Sequence, residues 1–201
     1  MTDFNLVPLS FYRRDNVLTI SRNLLGKELC TWTEQDGLTS GIITETEAYR
    51  AENDQANHAS GGNITERNSI MFEDGGVAYV YLCYGIHHLF NVVTNSKGVP
   101  DAVLIRAIQP NTGIDTILRR RNASEIHPNI SNGPGKLSQA LGIDRSLYGH
   151  SLTGKRVWIQ TPDPSVNTES TKIITKPRVG IDYAGEDAQL PWRFILESES
   201  S

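Results

Sequence analysis

The chain has 201 residues, 38% hydrophobic and 21% charged, with 19 basic and 23 acidic side chains and a formal net charge of −4. This composition excludes a disordered polymer, a collagen-like repeat and a disulfide-stapled miniprotein, and the length suits one domain, residues 1–201, with a real core. No apolar run approaches the ~20 residues that span a bilayer, and no signal-peptide pattern opens the chain; Cys30 and Cys83, both in apolar contexts, fit a reducing cytoplasmic compartment and exclude a cysteine metal cluster.

The first stretch carries no clear period. Asp15 then precedes a segment in which Val17, Leu18, Ile20, Leu24 and Leu25 approach helical spacing, so a short helix capped by Asp15 is expected. Residues 29–33 and 41–49 read as strands joined by a turn at 35–37. Residues 50–76, rich in Asn, Asp, Gly and Ser, read as a long loop, and loops of that length inside compact domains tend to be functional. Strands are expected at 77–84, 90–94 and 102–108. A helix follows at 111–121, with Thr112 as a cap and three arginines at its C-terminus, where cations suit the helix dipole. Another helix is expected at 135–142, then strands at 157–160 and 177–181, with a polar surface excursion over 162–175. Strands and helices without regular βαβ alternation predict an α+β fold with a mainly antiparallel sheet.

Charge is unevenly distributed. Residues 1–96 carry 6 basic and 12 acidic side chains, residues 97–160 carry 9 and 4, and residues 161–201 carry 4 and 7. The net acidity speaks against nucleic acid, whereas the basic middle leaves room for it.

Three segments carry candidate chemistry. In TETEAYR (44–50), strand alternation puts Glu45, Glu47 and Tyr49 on one face. That is either the polar face of a half-exposed edge strand or a site carboxylate acting as general base beside an aromatic wall. Tyr79, Tyr81 and Tyr84 lie close to His87, His88 and Phe90. Tyrosine in a strand is ordinarily packing, but a Tyr beside Gly85 on a turn is harder to place in a core, and aromatics near positive charge suit unstacked bases. His87 and His88, being adjacent, point to opposite faces and do not share a metal. In NGPGKLSQAL (132–141), Gly133 and Gly135 precede a helix with Lys136 in its first turn, which is either a plain capping turn or a phosphate site. No Walker, dinucleotide, Ser-His-Asp or zinc-ligand pattern occurs.

Taken in series, LLGKEL (24–29), ITETEAYR (43–50), NHASGGNITERNSIMF (57–72), YVYLCYGIHHLFNVV (79–93), AVLIRAIQP (102–110), NGPGKLSQALGI (132–143), PRVGIDYAG (177–185) and PWRF (191–194) resemble the alkyladenine (3-methyladenine) DNA glycosylase family of the mammalian type, which also occurs in bacteria. The resemblance implies a single α+β domain around a curved, mainly antiparallel sheet, with no helix-hairpin-helix, no metal and no cofactor. It implies a monomeric, monofunctional enzyme that flips alkylated purines from damaged double-stranded DNA and hydrolyses the N-glycosidic bond. Carried over by motif, Glu47 would activate water, held with Arg106 and the Val179 carbonyl. Tyr49, His58 and Tyr81 would enclose the flipped base, and the His58 main chain would read its edge. Asn91 would lie at the pocket floor and penalise the exocyclic amine of guanine. Tyr84 would wedge into the duplex, and Thr65, Arg67, Ile86, His87 and Lys136 would contact backbone or groove. A purine already cationic from alkylation needs little acid help to leave, so one carboxylate suffices, and no lysine stands at the catalytic position to form a Schiff base. Two other readings remain at this point. One is a non-catalytic module that shelters alkylated bases, which would have no need of Glu47. The other is a hydrolase of free nucleosides, which would have no need of Tyr84.

Overall fold

A computed structural model describes residues 5–163 and 172–197. Helix α1 (Leu9–Tyr12) and helix α2 (Val17–Leu24) lead into strands β1 (Glu28–Thr33) and β2 (Gly37–Tyr49). The long loop holds two short 3₁₀ turns, Ser60–Gly62 and Ser69–Phe72, and is followed by β3 (Ala78–Cys83), β4 (His87–Thr94) and β5 (Asp101–Thr112). Helices α3 (Ile114–Arg121) and α4 (Pro134–Leu141) precede β6 (Val157–Gln160), β7 (Lys172–Lys176) and β8 (Arg193–Glu197). All pairings are antiparallel, in the order β3-β4-β5-β2-β1-β6, with β8 joining β2 to β7 in one curved sheet. The expected α+β class with a curved antiparallel sheet is therefore observed.

Several local expectations change. Asn16, not Asp15, caps α2: its side chain accepts from the Thr19 N–H, the donor three residues on that an N-cap reaches. Thr112 ends β5, and α3 starts instead from Gly113, whose φ of 73° a side chain would resist. Residues 177–181 are not a strand. The last pairing comes from Lys172–Lys176 against Arg193–Glu197, a hairpin the sequence reading did not anticipate, while Pro177 and left-handed Gly180 turn the chain away from the ladder. Residues 164–171 of the expected excursion lie outside the described residues.

The two faces of β2 do different work. Thr46 hydrogen-bonds Ser21 of α2, and Ala48 joins the main core with Ile20, Leu24, Phe90, Val103, Leu137 and Phe194. Glu45, Glu47 and Tyr49 point the other way. β2 is also no edge strand: β5 pairs with one side of it, while β1 and then β8 pair with the other. A register shift brackets Glu45, and the pairing steps from Ala107 to Ile105 across Arg106. Irregularities of this kind re-aim side chains, and here they sit beside the two carboxylates.

Candidate active site

Glu47 is wholly buried, accepts two hydrogen bonds and pairs with one cation. The Val179 N–H donates to its Oε1 at 2.8 Å, the Arg106 Nη1 lies 3.2 Å from Oε1, and the Tyr49 hydroxyl donates to Oε2 at 2.8 Å. Arg106 also donates from Nε to Glu45 at 2.9 Å, and Glu45 takes a second cation, Arg193, at 3.0 Å. Burial pushes the Glu47 carboxyl up from its ordinary value, and Arg106, Tyr49 and Val179 offset only part of that rise. Burial and the neighbouring Glu47 hold the Tyr49 phenol far above its usual range, so it remains a donor. For Arg106, burial acts downward, but Glu47 and Glu45 together outweigh it and keep it protonated. An ionised carboxylate has about four lone-pair sites. On Oε2 the Tyr49 hydroxyl takes one, which leaves the other open.

Tyr49, Arg106 and Val179 also line a cavity of about 740 Å³, so Glu47 lies directly behind its wall. Its lining also holds an aromatic group of His58, Tyr79 and Tyr81. The His58 ring meets Tyr81 edge-on at 4.8 Å, and its Nδ1 lies 2.9 Å from the Tyr79 hydroxyl. His58 reaches solvent at the cavity mouth, yet the protein packed around the rest of its ring, together with the Arg67 charge, pushes its pKa down to about 4. At neutral pH the ring is uncharged. Its carbonyl accepts from Asn68, which fixes the loop at that point. Asn91 is buried at the cavity wall and donates to the Tyr79 carbonyl at 3.1 Å.

The rim is built differently. The turn between β3 and β4 closes with the Ile86 N–H donating to Cys83 O at 3.1 Å, and both central residues are left-handed, Tyr84 at φ 50° and Gly85 at φ 71°. That is the primed turn that matches strand twist, and for a tyrosine it costs about 1–2 kcal/mol. Tyr84 is 90% exposed and Ile86 72%. Beside them, Gly133 adopts φ 120°, and a Cβ on Gly135 would come within 2.7 Å of the His87 ring, so glycine lets the start of α4 approach β4 closely. Gly133 N–H also donates to Arg106 O, tying this loop to the site strand. His87 and Lys136 thus both line the cavity.

Of the residues expected at the site, the structure gathers Tyr49, His58, Arg67, Tyr81, Tyr84, His87, Asn91, Arg106, Lys136 and Val179 around one cavity, with Glu47 behind it. Ile86 stands on the hairpin tip. Thr65 exchanges hydrogen bonds with Asn68 and is exposed, outside the cavity lining. Arg67 is exposed and lines the cavity, with its guanidinium 4.5 Å over the Tyr81 ring. Val179 contacts Glu47 through its N–H. Sequence reasoning missed Tyr79 as the partner of His58, Asn68 as the anchor of the His58 carbonyl, and Tyr183, 68% exposed at the rim. The alternation YVY, which puts Tyr79 on the same face as Tyr81, was the available signal for the first. Among the described residues no group of His, Cys, Asp or Glu could hold a metal ion, and no helix is long and apolar enough to cross a membrane.

The curved antiparallel sheet thus carries a buried carboxylate behind an aromatic cavity, with an exposed tyrosine on the hairpin at its rim. A family profile for methylpurine-DNA glycosylase matches residues 10–200. Candidate 3-methyladenine DNA glycosylases of Chlamydia felis, Bacillus thuringiensis and Desulfitobacterium hafniense are 46%, 45% and 42% identical to this chain, over 98%, 94% and 93% of it and 98%, 95% and 93% of their own lengths. The chain belongs to the methylpurine-DNA glycosylase family.

Proposed function

We propose that this protein excises alkylated purines such as 3-methyladenine from duplex DNA by flipping the nucleotide into the aromatic cavity and hydrolysing its N-glycosidic bond. The observation that carries this reading is the Glu47 carboxylate. It is buried, its pKa is raised toward the working range of a general base, and it sits behind the cavity with one acceptor site on Oε2 still open. Water bound there, steadied by Arg106 and the Val179 carbonyl, attacks the sugar C1′ and gives a proton to Glu47. The C1′–N9 bond breaks and its electron pair stays on the purine, neutralising the charge that alkylation had placed there. The adjacent carboxylate stabilises the cation-like sugar in between.

Tyr49 on one side and His58 with Tyr81 on the other stack the base. A cationic purine gains about 0.5–2 kcal/mol per aromatic face, and a neutral His58 adds no repulsion. The His58 main chain reads the purine edge, and Asn91 disfavours an exocyclic amine at the floor. Tyr84 fills the gap in the duplex, while Arg67, Ile86, His87, Thr65 and Lys136 hold the flanking strand. Among the described residues the partners of Glu47 are Val179, Tyr49 and Arg106 and no lysine, so the expected product is an abasic site in an intact strand.

The test is incubation with duplexes carrying 3-methyladenine, 7-methylguanine, ethenoadenine or hypoxanthine. Release of free base, with strand breakage only after alkali, is the expected result. Strand cleavage without alkali, or no release from any duplex, overturns the reading.

A further inference from the structure

An ion pair closed to solvent lies behind the Tyr49 ring. Arg178 and Asp54 side chains are both 0% exposed and meet in a fork, Nη1 to Oδ2 at 2.7 Å and Nη2 to Oδ1 at 2.8 Å. Asp54 takes two further donors, the N–H groups of Arg50 and Ala56, each at 3.1 Å. Arg178 gives its remaining Nη donors to Ala48 O and Asp187 O. The pair therefore joins the end of β2, the start of the loop that carries His58, and the segment that presents Val179 to Glu47.

The guanidinium carbon also lies 4.8 Å from the Tyr49 ring centroid and 5.0 Å from that of Trp192. Tyr49 faces the cavity and Arg178 does not line it, so the ring stands between the guanidinium and the space where a base would stack. A buried pair is weak evidence for stability, since apolar residues of similar volume do as well. Its placement has an electrostatic consequence. With an unneutralised guanidinium on one face of Tyr49 and a cationic purine on the other, two like charges would stand about 8 Å apart. At an effective dielectric of about 20 they repel by about tenfold or more in an equilibrium.

We infer that Asp54 is a specificity-determining residue: by neutralising Arg178 in place, it allows Tyr49 to accept a positively charged base on its cavity face. The inference rests on the stacking role proposed above for Tyr49. A neutral purine feels no such repulsion, so the Asp54 charge sets the preference between cationic and neutral bases. The hydrogen bonds of the pair, by contrast, position the three segments for every substrate alike.

Single-turnover excision at saturating enzyme, from a 7-methylguanine duplex and from whichever of hypoxanthine or ethenoadenine the wild type releases faster, separates these effects. Asp54→Asn is expected to lower the cationic-to-neutral rate ratio about tenfold. Arg178→Gln leaves no cation behind the ring, so it is expected to hold the ratio within about twofold of wild type or raise it. Equal losses on both substrates in Asp54→Asn, or a matching fall of the ratio in Arg178→Gln, overturn the inference. Should Asp54→Asn fail to fold by circular dichroism, Arg178→Gln decides alone: a retained or raised ratio supports the inference and a fallen one rejects it. Tyr49→Leu is the control. If it leaves both rates at wild type, the stacking reading itself fails; if it impairs excision while Asp54→Asn keeps the ratio, only the role of Asp54 fails.

Discussion

The floor and the rim of the cavity carry opposite kinds of cost. At the floor, a carboxylate is stripped of water and compensated from within the chain by Val179 N–H, Tyr49 and Arg106, with Glu45 holding Arg106 and Arg193 holding Glu45 in turn. At the rim, Tyr84 holds a left-handed backbone and exposes 90% of itself, and Ile86 and Tyr183 extend the apolar surface without burying it. The floor is compensated before anything binds. The rim is compensated only when a partner covers it. Chemistry needs groups whose geometry does not change on binding, whereas opening a duplex needs surface that gains on contact.

Breaking the floor gives the largest effect. Glu47→Gln keeps an acceptor for Val179 and Arg106 but cannot take a proton, so excision is expected to fall about 10²–10⁴-fold while affinity for an ethenoadenine duplex stays near wild type. Excision at the wild-type rate would remove the general-base role. The pH profile sharpens the same point. The proposed base must be ionised to act and burial raises the Glu47 pKa, so the rate is expected to fall on acidification through a value above the ordinary 4.5. A limb at or below 4.5 in single-turnover rates would contradict the desolvated carboxylate.

Sequence alone placed much of the floor, because strand alternation is strict: once 41–49 is a strand, Glu45, Glu47 and Tyr49 must share a face. It left open whether that face belonged to an edge strand, since β8, which covers the far side of β2, follows a polar stretch and is only five residues long. Arg106 was found only through its motif. Its aim depends on a register shift that alternation cannot express. The Asp54–Arg178 pair was out of reach for a different reason: its partners lie 124 residues apart, and neither has a local pattern that requires the other. The basic middle segment was legible as a count and misleading as a surface. Within it Arg106 is paired at the floor and Arg119 and Arg120 hold Asp36, which leaves fewer cations facing outward than nine suggests.

Rim variants are expected to act on binding instead. Tyr84→Ala removes one stacking ring, worth about 1–3 kcal/mol, so affinity for damaged duplex falls roughly tenfold, with a smaller effect on single strands, where no gap opens. Equal losses on both would remove the wedge role. Tyr84→Gly separates function from folding: glycine accepts φ 50° without strain, so this variant binds duplex as weakly as Tyr84→Ala but melts no lower than wild type. A drop of several degrees in Tm would mean that the ring stabilises the free protein and is not held ready for a partner.

The smallest expected effect is at Lys136. It stands in the first turn of α4, lines the cavity as His87 does, and among the described residues it makes no ion pair. A lysine so placed meets a phosphate through charge, with no base to read. Lys136→Ala should therefore weaken damaged and undamaged duplexes by a similar few-fold factor. The slope of log affinity against log salt should become shallower by about 0.9, the value for each phosphate that a duplex-binding protein neutralises. Binding isotherms at several salt concentrations measure that slope directly. An unchanged slope would make Lys136 an ordinary solvated side chain and would leave the apolar hairpin, not the basic helix start, to hold the duplex at the rim.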